Sequence, residues 1–436
     1  MKSLKFSQFN LYSFNSKKTL IRNTFHDSVV RIENKLLNKI KKDLNKKEIN
    51  EVKNLEKYKI LVPKNKNEFK EWKKFVEEVK ENKILSMTIA PTFACNFRCV
   101  YCIEEGKYVE MPSMKEEKIK EIFNFFDKII KQKKIKKTNL ILYGGEPILR
   151  YDLCLKIMKK FNEFSKKNKL KIEEIQIVTN GSLLDKKKIN NLIKNGLERV
   201  MITVDGLKKT HNKRRKCPSN PNTFDMIITN IIYLAKQGVE VTVLSVTDSE
   251  NINELLPLVR FFSKKLRNKD KIKKKIVFTF GLVAKTSCTR RRYNKLVKNK
   301  ETEIRTKIIT ALKFAKKQGF LVGLPHEIDA CEREDKYGFL IDPKGNIFKC
   351  VGVIGIPKYS IGNIKDSPNK IFKNMKKYTD LKILDEECKK CSILPLCRGG
   401  CQHDALMKFG VYGKKKFCEK DSLLKTYQEY LKQGLY

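Results

Sequence analysis

The sequence is short of acidic residues, nearly without tryptophan, and free of long apolar runs. Against 95 Lys and Arg stand only 49 Asp and Glu, a formal net charge of +46, and Trp72 is the single tryptophan. No segment approaches the roughly 20 apolar residues that a membrane-spanning helix needs. The N-terminal MKSLKFSQFNLYSFNSKK lacks the apolar stretch of a secretory signal. A cytoplasmic protein with no membrane role is therefore the expectation. The deficit of acid does not itself point to nucleic acid, because the lysines are spread over helix faces and loops alike, whereas an RNA or DNA footprint is clustered. A basic surface does suit the steering of an acidic peptide. With 41% hydrophobic and 33% charged residues over 436 positions, the chain can bury a core and is not disordered.

Cysteine is what the sequence has in quantity. Thirteen in a cytoplasmic chain argue for metal or redox chemistry over disulfides. Cys95, Cys99 and Cys102 share the stretch CNFRCVYC, seven more fall between Cys331 and Cys418, and only Cys154, Cys217 and Cys288 stand apart. Those three read as small buried hydrophobes. Cys217 and Cys288 also lie near predicted strand ends, close to any site built there.

The rest of the pattern predicts an α/β protein in three parts. In residues 1–83 the runs FNLYSF, TLIRNTF and SVVRIE predict two or three strands, and NKLLNKIKKDL and NEFKEWKKFVEEVK predict helices. Trp72, at helical spacing from Phe69 and Phe75, is expected in the core of this small α+β module. From 84 to 318 the segments ILSMTIA, NLILYGG, EIQIVTNG, RVMITVDG, VEVTVLSVT and KIVFTFGLV alternate with amphipathic helices. Six such β/α units imply a parallel sheet, open or barrel-like, with its site at the C-terminal strand ends. Residues 319–436 are loop-rich, with a hairpin expected in GFLIDPKGNIFKC. So few long apolar elements follow that bound metal is the natural support.

Three thiolates from one loop can hold three irons of a 4Fe–4S cube and leave the fourth open to a chelating ligand. Zinc would need a fourth donor, and no His or Cys follows Cys102 within thirty residues. CNFRCVYC after a first strand resembles the cluster loop of radical S-adenosylmethionine (SAM) enzymes, including aromatic Tyr101 before the last cysteine. Tyr143-Gly144-Gly145-Glu146-Pro147 resembles that family's GGEP motif. The resemblance implies a partial (β/α)6 TIM-like barrel in which Cys95, Cys99 and Cys102 carry the catalytic cluster and SAM chelates its open iron. It implies that Gly144, Gly145 and Pro147 let the backbone approach SAM while Glu146 binds its amino group. Thr179 and Asn180, then Thr203 and Asp205, fall where the family contacts the ribose and carboxylate, and Arg215 is similarly placed. Taken singly, each glycine turn is an ordinary strand-to-helix turn; three at consecutive strand ends form a pattern.

The C-terminal spacings are similar to those of the SPASM domain, which carries two auxiliary 4Fe–4S clusters. The similarity implies that Cys388, Cys391, Cys397 and Cys418 hold one cluster, and that Cys331, Cys350 and Cys401 give the other three ligands. For the fourth, His326 in Leu324-Pro325-His326-Glu327, distant Cys288, or an open iron are the alternatives. His326 reads equally well as a plain loop histidine.

The activity implied is reductive cleavage of SAM, with flavodoxin or ferredoxin as the low-potential donor and a ribosomally made precursor peptide as substrate. Thioether crosslinking is the expected chemistry, and formylglycine formation by a sulfatase maturase is the alternative. Sulfatase maturases carry Asp directly after the second SPASM cysteine, where this chain has Val351. Residues 1–83 either grip a leader peptide by strand addition or brace the barrel. A non-catalytic iron–sulfur carrier and a tRNA-modifying enzyme are the readings from other classes. The GGEP motif opposes the first, and the SPASM spacing opposes the second.

Overall fold

The computed structural model describes residues 3–42, 50–81, 83–103, 113–283, 290–323, 331, 333–379, 384–410 and 415–435. Its centre is built from β1 (Ile84–Thr92), β2 (Lys137–Gly144), β3 (Lys171–Thr179), β4 (Arg199–Thr203), β5 (Glu240–Thr247) and β6 (Ile276–Leu282). These strands are neighbours in chain order and all parallel. A helix follows each strand, as the crossover between neighbouring parallel strands requires. The first, Glu117–Lys133, shows how sequence fixes the packing: Ile119, Ile122, Phe123, Phe126 and Ile129 recur at helical spacing and are all buried. Lys120, Lys128 and Lys131 at intervening positions are exposed.

The predicted six units are present, and the sheet goes further at both edges. A two-residue strand, β7 (Leu321–Val322), continues the parallel series beyond β6. At the opposite edge the predicted hairpin forms from β8 (Gly338–Ile341) and β9 (Asn346–Phe348), with β10 (Gly362–Asn363) outside it. β8 lies parallel to β1, so the cysteine-rich segment extends the same sheet. Such pairing between segments far apart in sequence leaves no local signature.

The N-terminal strands form an antiparallel meander over Asn10–Phe14, Lys18–Asn23 and Ser28–Glu33. Strand Leu4–Phe6 pairs separately with Leu61–Pro63. Trp72, only 1% exposed, does not join this module's main core of Leu4, Ile21, Leu37 and Val52. It packs instead with Phe9, Phe25, Val76 and Leu394, at the junction with the cysteine-rich region. Gln8 Nε2 donates to the Lys389 carbonyl at 3.0 Å and Thr24 Oγ1 to the Ser392 carbonyl at 2.5 Å across the same junction. Among the described residues no helix is long and apolar enough to cross a membrane.

Candidate active site at the strand ends

The loop leaving β1 carries Cys95, Cys99 and Cys102, and it is pinned on both sides. Arg98–Cys99 pairs antiparallel with Arg215–Lys216, placing Arg215 opposite Cys99, and Val100 N donates to the Arg214 carbonyl at 3.0 Å. On the other side lie the two glycines that end β2 and begin the next turn. Gly145 N donates to the Thr92 carbonyl at 3.1 Å and Glu146 N to the Ala94 carbonyl at 2.9 Å. A Cβ on Gly144 would meet the Thr92 carbonyl, and one on Gly145 would lie 2.5 Å from the Ala94 oxygen. The glycines thus let two backbones touch where the cysteine loop departs.

Burial pushes the Cys95 thiol up to about 11 and the Cys99 thiol up to about 12. Cys102 lies within electrostatic reach of both and raises them further. Free thiols here stay protonated near neutral pH, and a bound cation is what converts such groups to thiolates. Three sulfur donors on one short loop fit the soft-donor set of an iron–sulfur cluster.

Beneath the loop runs a buried polar network. Tyr101 hydroxyl donates to Asp205, and Arg215 Nη1 donates to the Tyr101 hydroxyl at 2.8 Å. Arg214 adds Nε at 3.5 Å from Asp205 Oδ2 and Nη1 at 2.9 Å from Asp248 Oδ1. Burial raises the Asp205 carboxyl, and the two arginines pull it back down. Tyr101, Asp205 and Arg215 were expected as SAM contacts; the structure brings them together at the loop, bonded to one another.

The strand-end motifs are also tied together. Glu146 is fully buried; its Oε1 accepts from Thr179 Oγ1 at 2.6 Å and Ile148 N at 3.0 Å, and Oε2 from Asn180 N at 2.6 Å. One carboxylate therefore joins the ends of β2 and β3. Asn180 Nδ2 donates to Asn96 Oδ1 at 2.8 Å, and Asn96 Nδ2 donates to Ser182 Oγ at 3.0 Å. Asn96 is a site residue that motif reading passed over, although it lies inside CNFRC. Cys217 Sγ is 4.0 Å from Asn96 Nδ2, beside the site as its strand-end position suggested. Cys154 donates from its buried thiol to the Pro147 carbonyl at 3.2 Å. Thr203 ends β4 at the same rim.

The C-terminal cysteines gather into two groups. Cys397 feels Cys391, Cys418 and Cys388 electrostatically, and burial pushes its thiol up to about 11. Cys401 likewise feels Cys350 and Cys331, and desolvation of its sulfur pushes the thiol up to about 12 although the residue as a whole is exposed. Between Cys397 and Cys401 the residues Arg398, Gly399 and Gly400 all have positive φ, a left-handed run that glycine tolerates. It presses Gly400 so close to the Phe417 carbonyl that no Cβ would fit, bringing Cys418 to the first group. Cys288 and His326 lie outside the described residues.

A cavity of about 400 Å³ joins these regions, lined by Ile103 after the cysteine loop, Leu282 and Val283 at the end of β6, and Cys350, Val351 and Cys401. His403 and Asp404 also line it, and sequence reading had given neither a role.

Residues 89–262 match the profile of the radical SAM superfamily. A cysteine-type anaerobic sulfatase-maturating enzyme of Clostridium perfringens is 25% identical over 352 residues, covering 73% of this chain and 89% of its own. A GTP 3′,8-cyclase of the same species is 32% identical over 177 residues, 40% of this chain and 50% of its own. Among solved structures, native anSMEcpe with bound AdoMet and Cp18Cys peptide superposes with a TM-score of 0.62 at 21% identity, covering 80% of this chain and 96% of that one. Streptococcus suis SuiB bound to precursor peptide SuiA gives a TM-score of 0.53 at 14% identity, covering 95% and 99%.

Proposed function

We propose that this chain, a radical SAM enzyme, modifies a ribosomally made peptide, with a thioether crosslink as the product bond. The observation that carries this reading is the N-terminal meander. Its outer strand Ser28–Glu33 has no further strand partner among the described residues, and the meander is bonded to the cysteine-rich segment through Gln8 and Thr24. An unpaired edge is what an extended leader peptide needs for strand addition. The likeness to the SuiB fold runs over 95% of this chain, against 80% for anSMEcpe.

The superfamily's cofactors are a 4Fe–4S cluster and SAM. Here Cys95, Cys99 and Cys102 would hold the first cluster, Cys388, Cys391, Cys397 and Cys418 a second, and Cys331, Cys350 and Cys401 a third. When bound, cluster and SAM supply a carbon radical able to take hydrogen from an unactivated C–H bond. The chain's own residues hold and shield. Glu146 fixes the spacing of two strand ends through Thr179 and Asn180, and the Tyr101–Asp205–Arg215 network stiffens the cysteine loop. Leu282, Val283, Phe417 and Leu423 give the cavity apolar walls that exclude water from a reacting side chain.

Formylglycine formation is the second reading, favoured by 25% identity to a sulfatase-maturating enzyme over 73% of the chain. Val351 stands against it, because it places an aliphatic side chain in the cavity where those maturases carry Asp. Mass spectrometry separates the two. The reconstituted enzyme with SAM and dithionite should remove two hydrogens from a cysteine-containing peptide encoded beside its gene and leave a sulfatase-derived cysteine peptide unchanged. Conversion of the sulfatase peptide to its formylglycine form would reverse the assignment.

A further inference from the structure

Cys331, Cys350 and Cys401 come together as three sulfur donors, and an iron cube has four corners to satisfy. Among the described residues near them, Glu334 Oε2 is taken up by Arg398, and His403 offers a nitrogen with no such partner. His403 is 7% exposed, and its Nε2 is fully buried without a hydrogen-bond partner among the described residues. A buried imidazole nitrogen in this state has lost its water with nothing in exchange, so its persistence asks for a partner of another kind. A ligating atom from each of Cys401, His403 and Asp404 lies within 4.8 Å of the other two. The ring also reaches the Cys350 segment: a Cβ on Gly352, two residues beyond Cys350, would lie 2.7 Å from Nε2 and 2.5 Å from Cδ2. Gly352 is thus the only residue type that leaves the imidazole where it is.

The other nitrogen explains which one is free. His403 Nδ1 lies 3.7 Å from Asp404 Oδ1, too far for a direct hydrogen bond, so the carboxylate stands beside Nδ1 and leaves Nε2 as the nitrogen it does not face. A carboxylate that orients a histidine in this way is the usual second layer of a histidine metal ligand. The chain has four histidines. His26 belongs to the N-terminal meander region, and His211 is buried on the helix Lys208–Arg214. His326 lies outside the described residues, so His403 is the described candidate at this site.

We propose that His403 Nε2 is the fourth ligand of the cluster held by Cys331, Cys350 and Cys401, with Asp404 as its positioning residue. The inference rests on the reading that these cysteines hold a 4Fe–4S cluster. A neutral imidazole in place of a thiolate makes the cluster less negative and easier to reduce than an all-cysteine one. That cluster is then fully ligated by protein and has no iron free for a substrate thiolate.

The test is pulsed EPR on dithionite-reduced full-length protein, without SAM, carrying ¹⁵N only in its histidine rings. A directly bonded ¹⁵N coupling is expected, lost in His403→Gln, retained in His326→Gln, and lost in Gly352→Ala, which displaces the ring. His403→Cys should keep the iron and shift the cluster's reduction potential downward. Absence of any ¹⁵N coupling, or its loss in His326→Gln alone, overturns the proposal. The underlying reading has its own control: replacing Cys331, Cys350 and Cys401 together by Ala should remove about a third of the bound iron. Unchanged iron in that variant would dismiss the cluster itself, whereas a full iron count without nitrogen coupling dismisses only His403.

Discussion

Cys95, Cys99 and Cys102 stand on one short loop, whereas Cys331, Cys350 and Cys401 are drawn from three separate segments. Around the first set the buried acceptors have partners: Glu146 bonds to Thr179 and Asn180, Asn96 to Asn180 and Ser182, and Asp205 to Tyr101, and the buried atoms there without a hydrogen-bond partner among the described residues are N–H donors, Arg214 Nε and Arg215 Nε. Around the second set a buried imidazole nitrogen has none. The first site is a rigid frame for something brought from outside, and the second holds a protein donor in reserve. The two sites also differ in what supports them. The first sits at the strand ends of the central parallel sheet, and the second on short helices and a hairpin added at that sheet's edge, which share its core.

That contrast is broken most severely by removing iron. Anaerobic chelation should open the region between residues 331 and 418 to proteolysis while residues 84–318 stay protected, because small metal-held segments lose their fold with the metal. Early cuts through the barrel would contradict the difference in support. Gly145→Ala comes next. It forces a Cβ into the Phe93 and Ala94 carbonyls and should cost about 3 kcal/mol, read as a lower thermal midpoint. The iron lost should belong to the first cluster, with the C-terminal iron retained.

How much of this was written in the sequence follows the same division. The cysteine loop, the strand-end motifs and the six β/α units are local patterns, and each sits where its spacing predicted. What stayed hidden depends on tertiary contact. β8 pairs with the distant β1, Trp72 packs on Leu394 as well as on Phe9, Phe25 and Val76 of its own module, and Arg215 lies across from Cys99. Tyr101, Asp205 and Arg215 were individually conspicuous, yet their mutual bonding cannot be read from spacing. C-x-H at Cys401–His403 is a visible ligand pattern, but the burial of its nitrogen beside Gly352 emerges only on folding.

Tyr101→Phe sharpens the comparison with a smaller effect. It removes the hydroxyl between Asp205 and Arg215 and should cost about 2 kcal/mol. SAM cleavage should fall with the C-terminal iron unchanged, which iron analysis and 5′-deoxyadenosine quantification check together. The smallest effect belongs to Cys154→Ala. Loss of one buried sulfur with a single bond to the Pro147 carbonyl should cost about 1 kcal/mol and leave the iron count untouched, separating a packing cysteine from the clustered ones.

The most direct measurement is 5′-deoxyadenosine release under anaerobic conditions with SAM and dithionite, comparing the reconstituted full-length protein with its Cys95→Ala variant. Release by the first and background levels from the second are predicted. Equal release from both, or none from the fully iron-loaded protein, would contradict the assignment of the three-thiol loop as the seat of SAM cleavage.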